Sequence, residues 1–175
     1  MKLHILLEML EAGKVKRYHT LTTLKTQTLS QHCFRMLQLA YFITENNVSK
    51  ELANEILFHD HEEYEIGDIP ASFCNTAITK QKKIQEVSFK KSRGLYLELS
   101  MVDEGLLHCL DSLELMINCL EEVTLGNKYL KFVFSKGRLS LNNKMLNLGM
   151  ILPLLWKENI EKIVRYFDNK LKEVE

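Results

Sequence analysis

Four polar side chains stand out in this chain of 175 residues by type and by position: His32, the adjacent pair His59 and Asp60, and Asp111. Each falls on or beside an apolar stretch of helical periodicity, where an unpaired charge is costly unless something compensates for it. A metal ion would compensate. Two imidazole nitrogens and two carboxylates suit a hard-to-borderline divalent ion in an open tetrahedral or octahedral site. Singly, each residue has an ordinary explanation: His32 as a polar residue of a helix's first turns, His59 and Asp60 as an exposed helix end, Asp111 as an acceptor for a buried N–H. The combination of all four is what points to metal chemistry.

The elements that must position these residues are read from periodicity and capping. Leu3, Leu6, Leu7 and Leu10 predict a first helix with Gly13 as a left-handed C-cap. Lys14 to Gln27 has no sustained period and reads as an ordered loop. Thr28 and Gln31 form a capping box that starts the next helix and places His32 in its first turns. Leu29, Cys33, Met36, Leu37, Ala40 and Tyr41 give that helix its apolar stripe, which ends at Asn46 and Asn47. Ser49 caps a third helix whose buried side, Leu52, Ala53, Ile56 and Leu57, carries the register on to His59 and Asp60. Gly67 and Pro70 break the chain around Asp68, with a loop to about Thr79 and a helix from Lys80 to Glu98. Ser100 and Asp103 cap a long helix from Leu106 to Val123, closed by Gly126, with Asp111 in its middle. A short helix from Asn127 to Ser135, one from about Leu141 kinked at Pro153, and a last stripe at Ile160, Ile163, Val164, Phe167 and Leu171 complete the chain.

Composition agrees with one all-α domain of six to eight helices. The length suits a single core, and 7 Gly and 2 Pro are too few for a many-turned β architecture. Lys plus Arg and Asp plus Glu both number 23, so the chain lacks the basic excess of a nucleic-acid binder. Cys33, Cys74, Cys109 and Cys119 contain no C-x-x-C pair and read as reduced thiols of a cytoplasmic protein. The N-terminal segment, interrupted by Glu8 and Glu11, reads as an amphipathic helix rather than a leader. The longest apolar run, Leu148 to Trp156, contains Pro153 and is too short to span a membrane. A Gly-rich phosphate loop, a nucleophile elbow and a Cys–His pairing are absent, which leaves P-loop and covalent chemistry without support.

Three blocks between about Arg17 and Gly126 resemble the HD-domain phosphohydrolases, within them the bacterial and phage YfbR-like 5′-deoxynucleotidases. The first is Arg17 and Tyr18 followed by His32 in the context TLSQH, similar to the family's Arg-Trp, loop, Ser-Glu-His element. The second is LFHDHEEYEIGDIP, residues 57–70, similar to its His-Asp, Glu three positions on, and Gly-Asp-hydrophobic-Pro. The third is LDSLELMINCLEEV, residues 110–123, similar to the helix whose Asp completes the metal site.

The resemblance implies that His32, His59, Asp60 and Asp111 hold a divalent ion such as Co, Mn, Zn, Ni or Fe. It implies that Glu63 is the catalytic carboxylate that exchanges a proton with water or leaving group. A solvated surface acid is the plainer alternative for Glu63, as for Glu62 and Glu65. Arg17 matches the residue that contacts the substrate phosphate, where a guanidinium can bind two oxygens. Asp68 is expected to position substrate, and Tyr18, in place of the family's Trp, to pack on sugar or base. Lys25, Lys80, Lys82 and Lys83 read as a solvated face, with Lys25 assigned to substrate if more than one phosphate is bound. His61 and His108 match no family ligand and read as surface or supporting histidines.

The expected domain is 1–175, with a metal-site core over about 17–126 and C-terminal helices over 127–175. The expected activity is hydrolysis at the 5′-phosphate of a deoxyribonucleotide by metal-activated water. Either a monophosphate yields orthophosphate or a triphosphate such as dATP yields triphosphate. The short connection from Asp60 to Asp111 favours the compact phage type. The alternatives are an inactive HD-fold nucleotide-binding or regulatory protein, disfavoured by Glu63 and Arg17, and an HD phosphodiesterase or alarmone hydrolase, disfavoured by the Gly-Asp-Ile-Pro segment. The expected partners are a small deoxynucleotide and further copies of the chain, as a dimer or higher homo-oligomer, with no nucleic acid and no membrane. Cytoplasmic location follows, in the host if the protein is phage-encoded.

Overall fold

The computed structural model describes residues 2–67, 76–149 and 151–174, and its architecture is all-α. Eight helices occur among the described residues: α1 (Leu3–Ala12), α2 (Leu29–Ile43), α3 (Lys50–Leu57), α4 (Glu63–Ile66), α5 (Thr76–Ser92), α6 (Met101–Thr124), α7 (Leu130–Asn147) and α8 (Leu154–Glu173). No described helix is long and apolar enough to cross a membrane. The chain forms two compact units, Met1–Phe34 with Asn54–Glu98, and Arg35–Ala53 with Leu99–Glu175.

In the first unit α1 packs against α4, and Ile5, Met9, Phe58, Phe89 and Leu95 form a core cluster. The leucine stripe of α1 does not supply it: Leu3, Leu6, Leu7 and Leu10 are exposed, and Ile5, Met9 and Ala12 are buried instead. Both sets have helical spacing, so periodicity alone could not choose between the two faces. Gly13 is right-handed, with φ −60° and ψ −15°, and not the left-handed cap expected. Its role is close approach, because a Cβ there would collide with Ser30 Oγ. Asn54 Nδ2 donates to the Leu95 carbonyl at 2.7 Å, and the Arg93 guanidinium lies 3.6 Å from the Phe89 ring centroid while pairing with Glu8 and Glu65.

The loop between α1 and α2 is ordered by its ends. Lys16 and Thr28 form an isolated antiparallel bridge, Arg17 N–H donates to the Gln27 carbonyl at 3.0 Å, and Leu29 N–H to the Val15 carbonyl at 2.9 Å. The capping box is present: Thr28 N–H donates to Gln31 Oε1 at 3.0 Å and Gln31 N–H to Thr28 Oγ1 at 3.4 Å. Helix α5 starts earlier than its predicted Lys80 and stops at Ser92, before Gly94 adopts φ +66°. Leu57, expected on the buried side of α3, is exposed, because the helix ends there and the chain turns.

In the second unit α6 packs against α7 and α8 around Leu106, Leu110, Leu113, Met116, Phe134 and Ile160. Ser100 caps α6 by accepting from Asp103 N–H at 3.1 Å, and Ser49 accepts from Leu52 N–H at 3.0 Å to start α3. Two predicted C-terminal pieces are one continuous helix, α7, and Pro153 does not kink a helix but is the N-cap of α8 at φ −54°. The ring presets φ for helix entry and its missing N–H costs nothing at a terminus. Tyr41, expected in the apolar stripe of α2, is exposed. Cys109 and Cys119 are buried free thiols here, as is Cys33 in the first unit; Cys74 lies outside the described residues.

Candidate metal centre

The first unit brings three of the predicted ligands together. His32 reaches the site from the second turn of α2, whose start the capping box sets. His59 and Asp60 come from the turn that follows α3, where His59 N–H still donates to the Ile56 carbonyl at 3.3 Å. Asp60 adopts φ +56°, a left-handed conformation that Asp tolerates better than most residues and that is enriched at functional sites. Glu63 N–H then donates to the Asp60 carbonyl at 3.0 Å and starts α4.

Ligand atoms of His32, His59 and Asp60 all lie within 4.8 Å of one another. The two rings are 5.7 Å apart and tilted by 34°, and His59 Nε2 is 3.4 Å from Asp60 Oδ2. Two imidazoles and one carboxylate fit a divalent transition ion. Cys33 Sγ contacts the His59 carbonyl at 3.7 Å and supports the turn from α2.

Arg17 and Lys82 flank the carboxylate. Arg17 Nη1 donates to Asp60 Oδ2 at 2.8 Å, and Lys82 Nζ lies 3.3 Å from Asp60 Oδ1. Burial would raise the Asp60 pKa, but His59, Arg17, Lys82 and His32 outweigh it and hold the carboxyl well below the ordinary carboxylate range. Tyr18 stands beside Arg17, its ring centroid 5.7 Å from the guanidinium carbon, at φ +58°. Lys25 is an exposed residue of the same loop.

Glu63 is 2% exposed and therefore not a surface acid. Burial and the neighbouring Asp60 charge push its pKa up to about 7, against the pull of Lys82 and Arg17. A carboxyl balanced near neutrality can both take and give a proton. Glu62, read with Glu65 as a solvated acid, is also buried, and burial with the Asp60 and Glu86 charges pushes it up to about 8. Glu65 is the one of the pair that faces outward, in an ion pair with Arg93.

The residue that the sequence reading missed is Lys82. Its Nζ is 2.9 Å from Glu63 Oε1 as well as close to Asp60, and both carboxylates raise its pKa against the burial that would lower it. Lys82, Glu86 and Lys90 recur every fourth residue of α5, so they share one face. Glu86 and Lys90 on that face are buried, with Lys90 Nζ 2.6 Å from Glu55 and 2.7 Å from Glu86. That K-x-x-x-E-x-x-x-K spacing was the available signal.

Of the other predicted residues, Asp111 is half-buried in the middle of α6, in the second unit. Asp68 lies outside the described residues. His61 is buried, with Nδ1 3.2 Å from the His59 carbonyl and its ring edge-on to Phe58, so it braces the turn. Its burial lowers its pKa. His108 is exposed on α6, and its carbonyl accepts from Lys144 at 2.8 Å.

Residues 13–92 match the HD domain family. No curated protein matches the sequence. Among solved structures, the chain is similar to the HD phosphohydrolase DatZ of cyanophage S-2L, bound to dA and one catalytic Zn2+ ion, with TM-score 0.70 and 15% identity over 99% of this chain and 98% of that one. It is also similar to an HD-domain phosphohydrolase from Listeria innocua, with TM-score 0.63 and 16% identity over 95% of this chain and 98% of that one. The matched segment contains the His32, His59 and Asp60 donor group, and the likeness in fold to these two solved structures extends along nearly the whole chain.

Proposed function

We propose that this protein is a metal-dependent phosphohydrolase that removes the 5′-phosphate group or groups of a deoxyribonucleotide. The observation that carries this reading is the donor group of His32, His59 and Asp60 set beside a buried Glu63 and flanked by Arg17 and Lys82. The likeness to a phage phosphohydrolase bound to dA supports the deoxynucleoside part of it.

His32, His59 and Asp60 would hold a divalent ion, which when bound would supply Lewis acidity for the hydrolysis. The family resemblance adds Asp111 as the remaining ligand. Arg17 directs its guanidinium at the phosphate and balances the charge that develops there. Glu63 accepts a proton from the attacking water or returns one to the 5′-oxygen of the leaving nucleoside, for which its near-neutral pKa is suited. Tyr18 offers an aromatic face to sugar or base, Asp68 positions the sugar, and Lys25 meets the outer phosphates if a triphosphate is bound. The protein works as a single 1–175 domain in the cytoplasm and as a homo-oligomer, without nucleic acid or membrane.

The test is product analysis by anion-exchange chromatography after incubating metal-reconstituted protein with dAMP and with dATP. Orthophosphate and deoxyadenosine from dAMP establish the monophosphatase. Deoxyadenosine and intact triphosphate from dATP establish the triphosphohydrolase. No turnover of any nucleotide with Mn, Co, Zn, Ni or Fe overturns the reading.

A further inference from the structure

We infer that Lys82 is the positioning residue that holds the Glu63 carboxylate in place for proton transfer, an inference that rests on the hydrolase reading above. Glu63 belongs to a four-residue helix, Glu63–Ile66, whose N-terminus has no side-chain cap, so its backbone alone restrains the side chain weakly. Among the described residues its Oε2 is buried without a hydrogen-bond partner, whereas Oε1 receives Lys82 Nζ at 2.9 Å. The lysine therefore makes the hydrogen bond that fixes the rotation of this carboxylate and leaves the other oxygen available to a water or leaving group.

The lysine is itself well placed to do this. It projects from α5, a helix of 17 residues, and its side chain is 23% exposed, so the ammonium is anchored in a largely dry setting where a charge-assisted bond is strong. Its second contact, 3.3 Å to Asp60 Oδ1, fixes it relative to the ligand group. One cation thus sets the distance between the acid-base carboxylate and the metal-binding carboxylate. Two turns further along the same helix face, Lys90 is buried between Glu55 and Glu86 and anchors α5 in the unit.

The experiment compares wild type, Lys82→Met, Lys82→Arg, Glu63→Ala and the Lys82→Met/Glu63→Ala pair by steady-state kinetics, by Mn2+ titration calorimetry and by thermal melting. Lys82→Met is expected to lower kcat by about tenfold or more with KM nearly unchanged, as for an interaction needed in the transition state. Lys82→Arg is expected to restore much of the loss, and Lys82→Met to add nothing in the Glu63→Ala background. The calorimetric stoichiometry is expected to stay as in wild type, which separates positioning from metal loss. An unchanged kcat, a rise in KM alone, no rescue by arginine, or a full additional loss without Glu63 each overturn the inference. If wild type turns over no nucleotide, the functional reading fails by itself, and the melting cycle still decides the contact: coupled shifts are expected, and strictly additive ones overturn it.

Discussion

Arg17 and Asp60, 43 residues apart in sequence, meet through a hydrogen bond from Nη1 to Oδ2 of 2.8 Å. With Lys82 on the other oxygen, the Asp60 carboxylate lies between two cations, and the loop that precedes α2 is tied to the turn that follows α3. This candidate ligand, in a left-handed conformation, is held there by its side chain as well as by the hydrogen bonds of the turn.

Removing a ligand should remove the ion. Asp60→Ala and His32→Ala are expected to copurify with no stoichiometric metal, read by elemental analysis, because each removes one of the few donors on which the ion's affinity depends. Full occupancy with normal turnover in either variant contradicts the centre.

Glu63→Ala should separate chemistry from binding. The variant is expected to retain its ion and to lose about 10² or more in rate, the usual contribution of a general acid or base. An unchanged kcat means that another group moves the proton.

The buried Lys90 network should show opposite pH dependences in its members. Glu86 is lowered: burial raises it, but Lys90 and the positive charges of His59 and Lys83 more than offset this. An acid lowered in the folded state stabilises above its unfolded value near 4.5, and that contribution fades as pH falls below it. Glu55 is raised by burial, so its ionisation opposes folding above its unfolded value and acidification relieves the cost. Lys90 is raised by Glu86 and Glu55 against burial, so its contribution is present below its ordinary 10.5 and lost as pH rises past that value. Lys90→Met is expected to cost about 3–5 kcal/mol at neutral pH by taking the buried ammonium away from Glu55 and Glu86, and to flatten the alkaline loss of stability. Urea denaturation from pH 3 to 11 reads both, and a neutral substitution would show that the pairs contribute nothing.

The two faces of α1 should respond differently to substitution. Met9→Ala is expected to lower stability by about 2–5 kcal/mol, as for a buried large-to-small change, while Leu7→Lys should stay within about 0.5 kcal/mol. Thermal denaturation decides, and equal losses would mean that the leucines are covered.

Features that depend on neighbours a few residues away are legible in the amino-acid order. The Thr28 and Gln31 capping box, the Ser49 and Ser100 caps and the long stripe of α6 use groups within one or two helical turns, and all are in the structure. His32, His59 and Asp60 were legible because a polar residue entering an apolar face is a local anomaly. Tertiary structure alone decided which of two plausible apolar faces of α1 would be covered and that Pro153 begins a helix. It also decided that Glu62 and Glu63 are buried and that Lys82 is half-buried beside Glu63. The four-residue recurrence of Lys82, Glu86 and Lys90 marks a shared helix face but not that the face is covered. The protonation and role of a carboxylate or an ammonium are set by the charge that a distant segment brings beside it, as α5 brings Lys82 to Glu63.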